Sequence, residues 1–67
     1  MRAADVVADG VMTVDDAGTM LAVSRSTVYA LMDRGELAYV QIGRARRVPK
    51  RAVAVLLERN LKGGWLK

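Results

Sequence analysis

The stretch Thr13–Gly35, TVDDAGTMLAVSRSTVYALMDRG, decides how the rest of this chain is read. It predicts two short helices separated by a tight turn at Ala22-Val23-Ser24. Thr13 suits the N-cap of the first, its hydroxyl placed to accept from the backbone N–H of Asp16. Asp15 and Asp16 set negative charge in the positively poled first turn. Val14, Ala17 and Leu21 form the expected buried stripe, with Met20 beside it. Ser24 caps the second helix by accepting from the N–H of Thr27, with Val23 and Val28 as a hydrophobic staple. Gly35 ends that helix, because glycine takes positive φ without a Cβ penalty.

On a helical wheel, the second helix places Val28, Leu31 and Met32 on one face and Ser26, Tyr29, Ala30 and Asp33 on the other. Arg25 and Thr27 lie at the edges. The outer face thus combines small residues, one aromatic hydroxyl and an arginine in the first turn. A helix entering a DNA major groove needs such an inventory: small side chains to admit the groove walls, arginine for guanine edges or phosphate, and hydroxyls for phosphates and bases. The alternative is an ordinary αα-hairpin whose polar face is merely solvated.

After Gly35 the pattern alternates. Val40 and Ile42 share one face, Tyr39 and Gln41 the other, which predicts a β-hairpin with Gly43 to Ala45 at its tip and Val48 in the returning strand. Arg44, Arg46 and Arg47 crowd the tip and that strand. Like charges so close repel one another unless an anion lies across them, so the wing reads as a phosphate or minor-groove contact. A solvated edge charged against strand-to-strand aggregation is the competing account. Pro49 suits the start of a third helix, Lys50 to about Leu61, because its missing N–H would be unpaired there anyway. Val53, Leu56 and Leu57 form the expected buried stripe, with Ala52 and Leu61 at its margins and Val55 on the opposite face.

The ends are less structured in this reading. Residues 1–11 form a mobile arm, residues 12–61 the folded unit and residues 62–67 a tail. In the tail, two glycines separate Trp65 and Leu66 from the third helix. These side chains either fold back over the small core or, with Val55, offer an apolar anchor to another protein.

Composition narrows the function classes. Sixty-seven residues make one small domain near the lower size limit for a single unaided core. With no cysteine and no histidine, thiolate and imidazole ligands, disulfides and the commonest general base are absent. The expectation is no enzyme, no metal and no cofactor. Eleven Lys and Arg against seven Asp and Glu give a net charge of +4. Residues 1–24 hold Asp5, Asp9, Asp15 and Asp16 against Arg2 alone, and from Arg25 onward the balance reverses. That bias points to a polyanionic partner, or to nothing more than solubility. No apolar run approaches the ~20 residues needed to span a bilayer, and no signal-peptide pattern opens the chain. A cytoplasmic, DNA-associated protein of a bacterial host cell without membrane contact is expected.

The order helix, turn, helix, arginine-tipped hairpin, proline-led helix resembles the excisionase-like winged helix-turn-helix family, relatives of the DNA-binding head of the MerR regulators. The words VSRSTVY, GEL, IGR and RVP between Thr13 and Pro49 carry the resemblance, which extends through the third helix to about Leu61. It implies an α+β fold: a small winged helix-turn-helix with a two-stranded wing and a C-terminal helix. By position it implies recognition-helix contacts from Ser24, Arg25, Ser26, Thr27 and Tyr29, and wing contacts from Arg44, Arg46 and Arg47. Where many members carry an aromatic residue in the wing strand, this chain has Arg46.

Many proteins of this kind are excisionases, which do no chemistry but bind and bend attachment-site DNA so that an integrase excises rather than integrates. The expected partners are therefore double-stranded DNA, an integrase, and further copies of the chain bound cooperatively along the DNA. The small size favours an excisionase over a transcriptional regulator, which normally adds an effector segment. A small regulator remains the second expectation, and an antitoxin or protein-binding adaptor acting through Val55, Trp65 and Leu66 the third.

Overall fold

The computed structural model describes Asp5 and residues 7–63. The expected arm in residues 1–4 and 6, and the tail with Trp65 and Leu66, lie outside the described residues. The elements run β1 (Val11–Thr13), α1 (Val14–Leu21), α2 (Arg25–Asp33), β2 (Val40–Ile42), β3 (Ala45–Pro49) and α3 (Lys50–Arg59). They form an α+β winged helix-turn-helix.

The local signals of the helix pair appear in the structure. Thr13 Oγ1 accepts from Asp16 N at 3.0 Å, and Ser24 Oγ from Thr27 N at 3.2 Å. Both helices end in the same way. After α1, Val23 N donates to Gly18 O and Ala22 N to Thr19 O; after α2, Glu36 N donates to Leu31 O and Gly35 N to Met32 O. This paired closure needs a left-handed residue after the helix, supplied by Gly35 at φ 76° and, without glycine, by Ala22 at φ 57°. The turn can be this tight because Gly18 is small: a Cβ there would sit 3.1 Å from Val23 O and 3.6 Å from Val28 Cγ2. Gly18 is buried with Val14 and Ala17, so it belongs to the α1 stripe, whereas Met20 points outward at 61 % exposure.

The wing is part of a three-stranded antiparallel sheet in the order β1-β3-β2. Expectation had two strands; the third comes from the residues just before α1. Met12 pairs with Val48 and Thr13 with Arg47, while Gln41 pairs with Arg46 and Ile42 with Ala45. The hairpin tip is thus Gly43-Arg44, with Ala45 already in the strand. Gly43, at φ 60°, takes the first turn position, where a two-residue hairpin of this hand needs glycine.

The core joins all three layers: Met12 from β1, Val14 and Ala17 from α1, Val28 and Met32 from α2, Val48 from β3, and Ala52, Val53 and Leu56 from α3. Leu37, in the link between α2 and β2, is also buried, at 1 % exposure. The first N–H of α3 is satisfied from a distance, by Lys50 N donating to Gly10 O at 3.0 Å. Arg51 Nη2 meets Asp9 Oδ2 at 3.2 Å, fastening the same turn to the helix. One expected core residue is displaced. Leu57 is 51 % exposed, because α3 lies on β3 through Ala52, Val53 and Leu56, turning the next position toward an open groove beside Leu21 and Leu31. Leu61 lies beyond the end of α3 and is exposed.

Two stability outcomes are expected in thermal melts. Leu56→Ala removes a buried side chain and costs about 2–5 kcal/mol, whereas Leu57→Ala costs less than about 1 kcal/mol. Ala22→Gly relieves the left-handed backbone and, after the entropy it adds to the unfolded chain, raises stability by about 0.5–1 kcal/mol.

Candidate nucleic-acid interface

Two elements meet across a cleft of about 310 Å³: the first turn of α2 and the β2–β3 wing, with the start of α1 as its third wall. Arg25, Arg44, Arg46 and Arg47 line it, together with Tyr29, and Asp15 is the carboxylate among its lining residues. The helix-turn-helix places Arg25 there by starting α2 immediately after the Ser24 cap. The sheet register brings in the wing arginines, since β3 runs back from the tip past the start of α1.

Of the residues expected on the recognition helix, Ser24, Ser26 and Thr27 form one hydroxyl cluster. Ser24 Oγ lies 3.1 Å from Ser26 Oγ and 2.9 Å from Thr27 Oγ1. Ser24 is committed to holding the helix start; Ser26 and Thr27 are both exposed, Thr27 on the side that borders the groove with Leu31 and Leu57. Arg25 is 62 % exposed, with Nη1 3.3 Å from Asp15 Oδ1 and Nη2 donating to the Tyr29 hydroxyl at 3.4 Å. The Tyr29 hydroxyl first, and then the Asp15 carboxylate, push the Arg25 pKa further above its ordinary range.

The three wing arginines are not equivalent. Arg44 is exposed at the tip and has no carboxylate partner among the described residues. Arg47, opposite Thr13 and Val40 in the sheet, is half-buried and donates from Nη1 to Arg46 O at 2.9 Å. Arg46 turns back toward α2. Its guanidinium lies 4.6 Å from the Tyr39 ring centre and 5.2 Å from that of Tyr29, and its Nη1 is 3.4 Å from Asp33 Oδ1.

The side carrying Tyr39, Gln41, Arg46 and Val48 faces the helix pair, while Ile42, on the other side, is 65 % exposed. Tyr39, Asp33 and Asp15 are the residues of the site whose roles sequence reasoning passed over. A signal for Tyr39 exists: it shares a face with Gln41, whose register partner is Arg46, and so stands diagonally across from that guanidinium. Val55 is not brought to the cleft. It lies on α3, 40 % exposed, above a separate shallow groove bordered by Glu36 and Arg59.

The site has the makings of an anion-binding surface: guanidiniums arranged around a concavity, hydroxyls on a helix start beside it, and one carboxylate at its edge. No helix among the described residues is long and apolar enough to cross a membrane.

Comparison with known proteins agrees with this architecture. Residues 11–61 match the family model described as a helix-turn-helix domain. A protein of Saccharopolyspora erythraea named "Probable excisionase" is 43% identical over 42 residues, covering 63% of this chain and 43% of that protein. A protein of Mycobacterium tuberculosis (strain ATCC 25618 / H37Rv) named "Putative DNA-binding protein Rv0500A" is 43% identical over 47 residues, covering 70% of this chain and 60% of its own length. The chain therefore spans about two fifths to three fifths of the length of these curated relatives. No solved structure matches it. With most of its length inside the matched model, and with the fold and both helix caps in place, the chain belongs to the excisionase-like helix-turn-helix family.

Proposed function

We propose that this chain binds duplex DNA, with α2 in the major groove and the wing over the adjoining backbone and minor groove. It would act as an excisionase that bends attachment-site DNA and turns an integrase toward excision. The observation that carries the DNA reading is the convergence of four arginines, from α2 and from the wing, on one cleft. A helix start and a wing held apart by such a concavity match a groove flanked by phosphates, and the exposed Ser26, Thr27 and Arg25 supply groups able to read base edges. The excisionase reading rests on the resemblance to a protein with that name. In this reading the chain catalyses nothing; its effect comes from the DNA geometry it stabilises.

A single α2 and wing cover about one helical turn, so specificity in this proposal comes from repetition along the DNA, with successive copies bound cooperatively head to tail. Footprinting on attachment-site DNA with and without integrase tests the function directly. Protection of adjacent sites that recruits integrase supports it; protection confined to a promoter would transfer the same contacts to a small transcriptional regulator.

Two further outcomes are expected in binding titrations. Arg25 and the wing would neutralise roughly three to six phosphates, so log K against log salt should fall with a slope of about −3 to −5 per protomer, and Arg44→Ala should flatten it by about 0.9. Asp15→Asn removes the carboxylate that competes with phosphate for Arg25. It should strengthen binding by a few-fold at low salt, an advantage that shrinks as salt rises.

A further inference from the structure

We propose that Arg46 is a positioning residue. Clamped by Tyr39 and Tyr29, it sets the angle of the wing against α2 and leaves the phosphate contacts to Arg44, Arg25 and Arg47. The inference rests on the DNA-binding reading for its consequence, though not for its geometry.

The wing needs such a device. Its outer strand β2 has three residues, none of them buried, and Ile42 at the end of that strand and Arg44 at the tip both lie in solvent. Backbone pairing to β3 fixes the ribbon's register but leaves its tilt toward α2 to side chains. Arg46 is the residue placed to set that tilt. It projects from the face shared with the buried Val48, and reaches the Tyr29 ring at 5.2 Å and Asp33 Oδ1 at 3.4 Å, both on α2. The Tyr39 ring, in the segment entering β2, covers it at 4.6 Å. One planar cation thus connects the strand it belongs to, the entry to the neighbouring strand, and the outer face of the recognition helix.

The same partners argue against a direct phosphate contact. The Arg46 side chain is 24 % exposed, against 62 % for Arg25, its charge is answered by Asp33, and its guanidinium carbon lies over two tyrosine rings, 4.6 and 5.2 Å from their centres. Tyr29 is shared: Arg25 also lies over its ring, at 5.6 Å. The chain Tyr39–Arg46–Tyr29–Arg25 therefore couples wing angle to the placement of the arginine that enters the groove. A lysine at position 46 would keep the charge but has no flat surface to lie along two rings.

The test has one arm without DNA and one with it. In the free protein, the Arg46 side-chain methylene protons should be shifted upfield by the rings. Arg46→Lys and Tyr39→Leu should each lower the amide order parameters of Gly43 and Arg44 below about 0.6 while those of α2 stay rigid. Unshifted methylenes, or a wing equally rigid in both variants, would overturn the clamp whatever the protein binds. In the second arm, duplexes are enriched from a random-sequence pool by the wild-type chain, and only variants folded at the assay temperature in thermal melts are compared.

Positioning predicts that Arg46→Lys weakens binding to the enriched duplex by about three- to tenfold with the salt slope unchanged. It also predicts that Arg46→Gln keeps that slope, unlike Arg44→Ala. If Arg46 touches phosphate, Arg46→Lys stays near wild type and Arg46→Gln flattens the slope by about 0.9, which would overturn the proposal. Failure of the wild-type chain to enrich any duplex would count against the DNA reading, and the first arm would still decide the clamp.

Discussion

Strand β3 is the constraint on which the rest of the structure depends. It pairs with β1 on one side and β2 on the other, it contributes the fully buried Val48, and it runs directly into α3 through the buried Pro49. A helix pair of this size cannot close a core alone: α1 and α2 bring Val14, Ala17, Val28 and Met32 to it, and the remaining volume is filled by Met12, Leu37, Val48 and the inner face of α3. Removing the β1–β3 pairing would free both Met12 and the start of α1 from that core. In a domain near the lower size limit, each such contact is a large fraction of the margin between folded and unfolded.

The helix-turn-helix itself depends on a close approach of backbone. Gly18 lets Val23 O come within a distance that a Cβ would contest, while the Val28 side chain packs beside it at ordinary contact distance. The left-handed Ala22 is retained in that turn at some cost in strain, which the packing of Val28 against α1 helps to offset. The result is a fixed angle between the two helices, and hence a fixed platform for the outer face of α2.

Charge is organised in the same spirit. The arginines at the site are not a diffuse basic surface, because Asp15 holds Arg25 and Asp33 holds Arg46, while Arg44 stands out at the tip. Exposed pairs of this kind add little to stability. Their effect is orientational: they limit where guanidiniums point before any anion arrives, and so reduce the ordering cost at the moment of binding. Asp9 with Arg51 and Glu36 with Arg34 belong to the same pattern away from the cleft.

What the sequence determined by itself were the features whose causes lie within a few residues of one another. The Thr13 and Ser24 caps, the turn between the helices, the Gly35 terminator, the burial of Val28 and Met32 on α2, and the proline before α3 all follow from local hydrogen bonding and helical period, whereas Tyr29, expected on the open face, packs partly against the core. Tertiary structure decided everything that depends on partners distant in the chain. Whether Val11–Thr13 becomes a strand depends on β3 more than thirty residues later, and the first N–H of α3 is met by Gly10 O. Leu56 and Leu57 are alike in the sequence, yet the angle at which α3 crosses β3 buries one and exposes the other. The three wing arginines look equivalent as a charge run for the same reason. Only the register of β2 on β3 and the position of α2 place Arg46 against two tyrosines and an aspartate while leaving Arg44 in solvent, because side-chain partners across a sheet are set by packing rather than by neighbours in the chain.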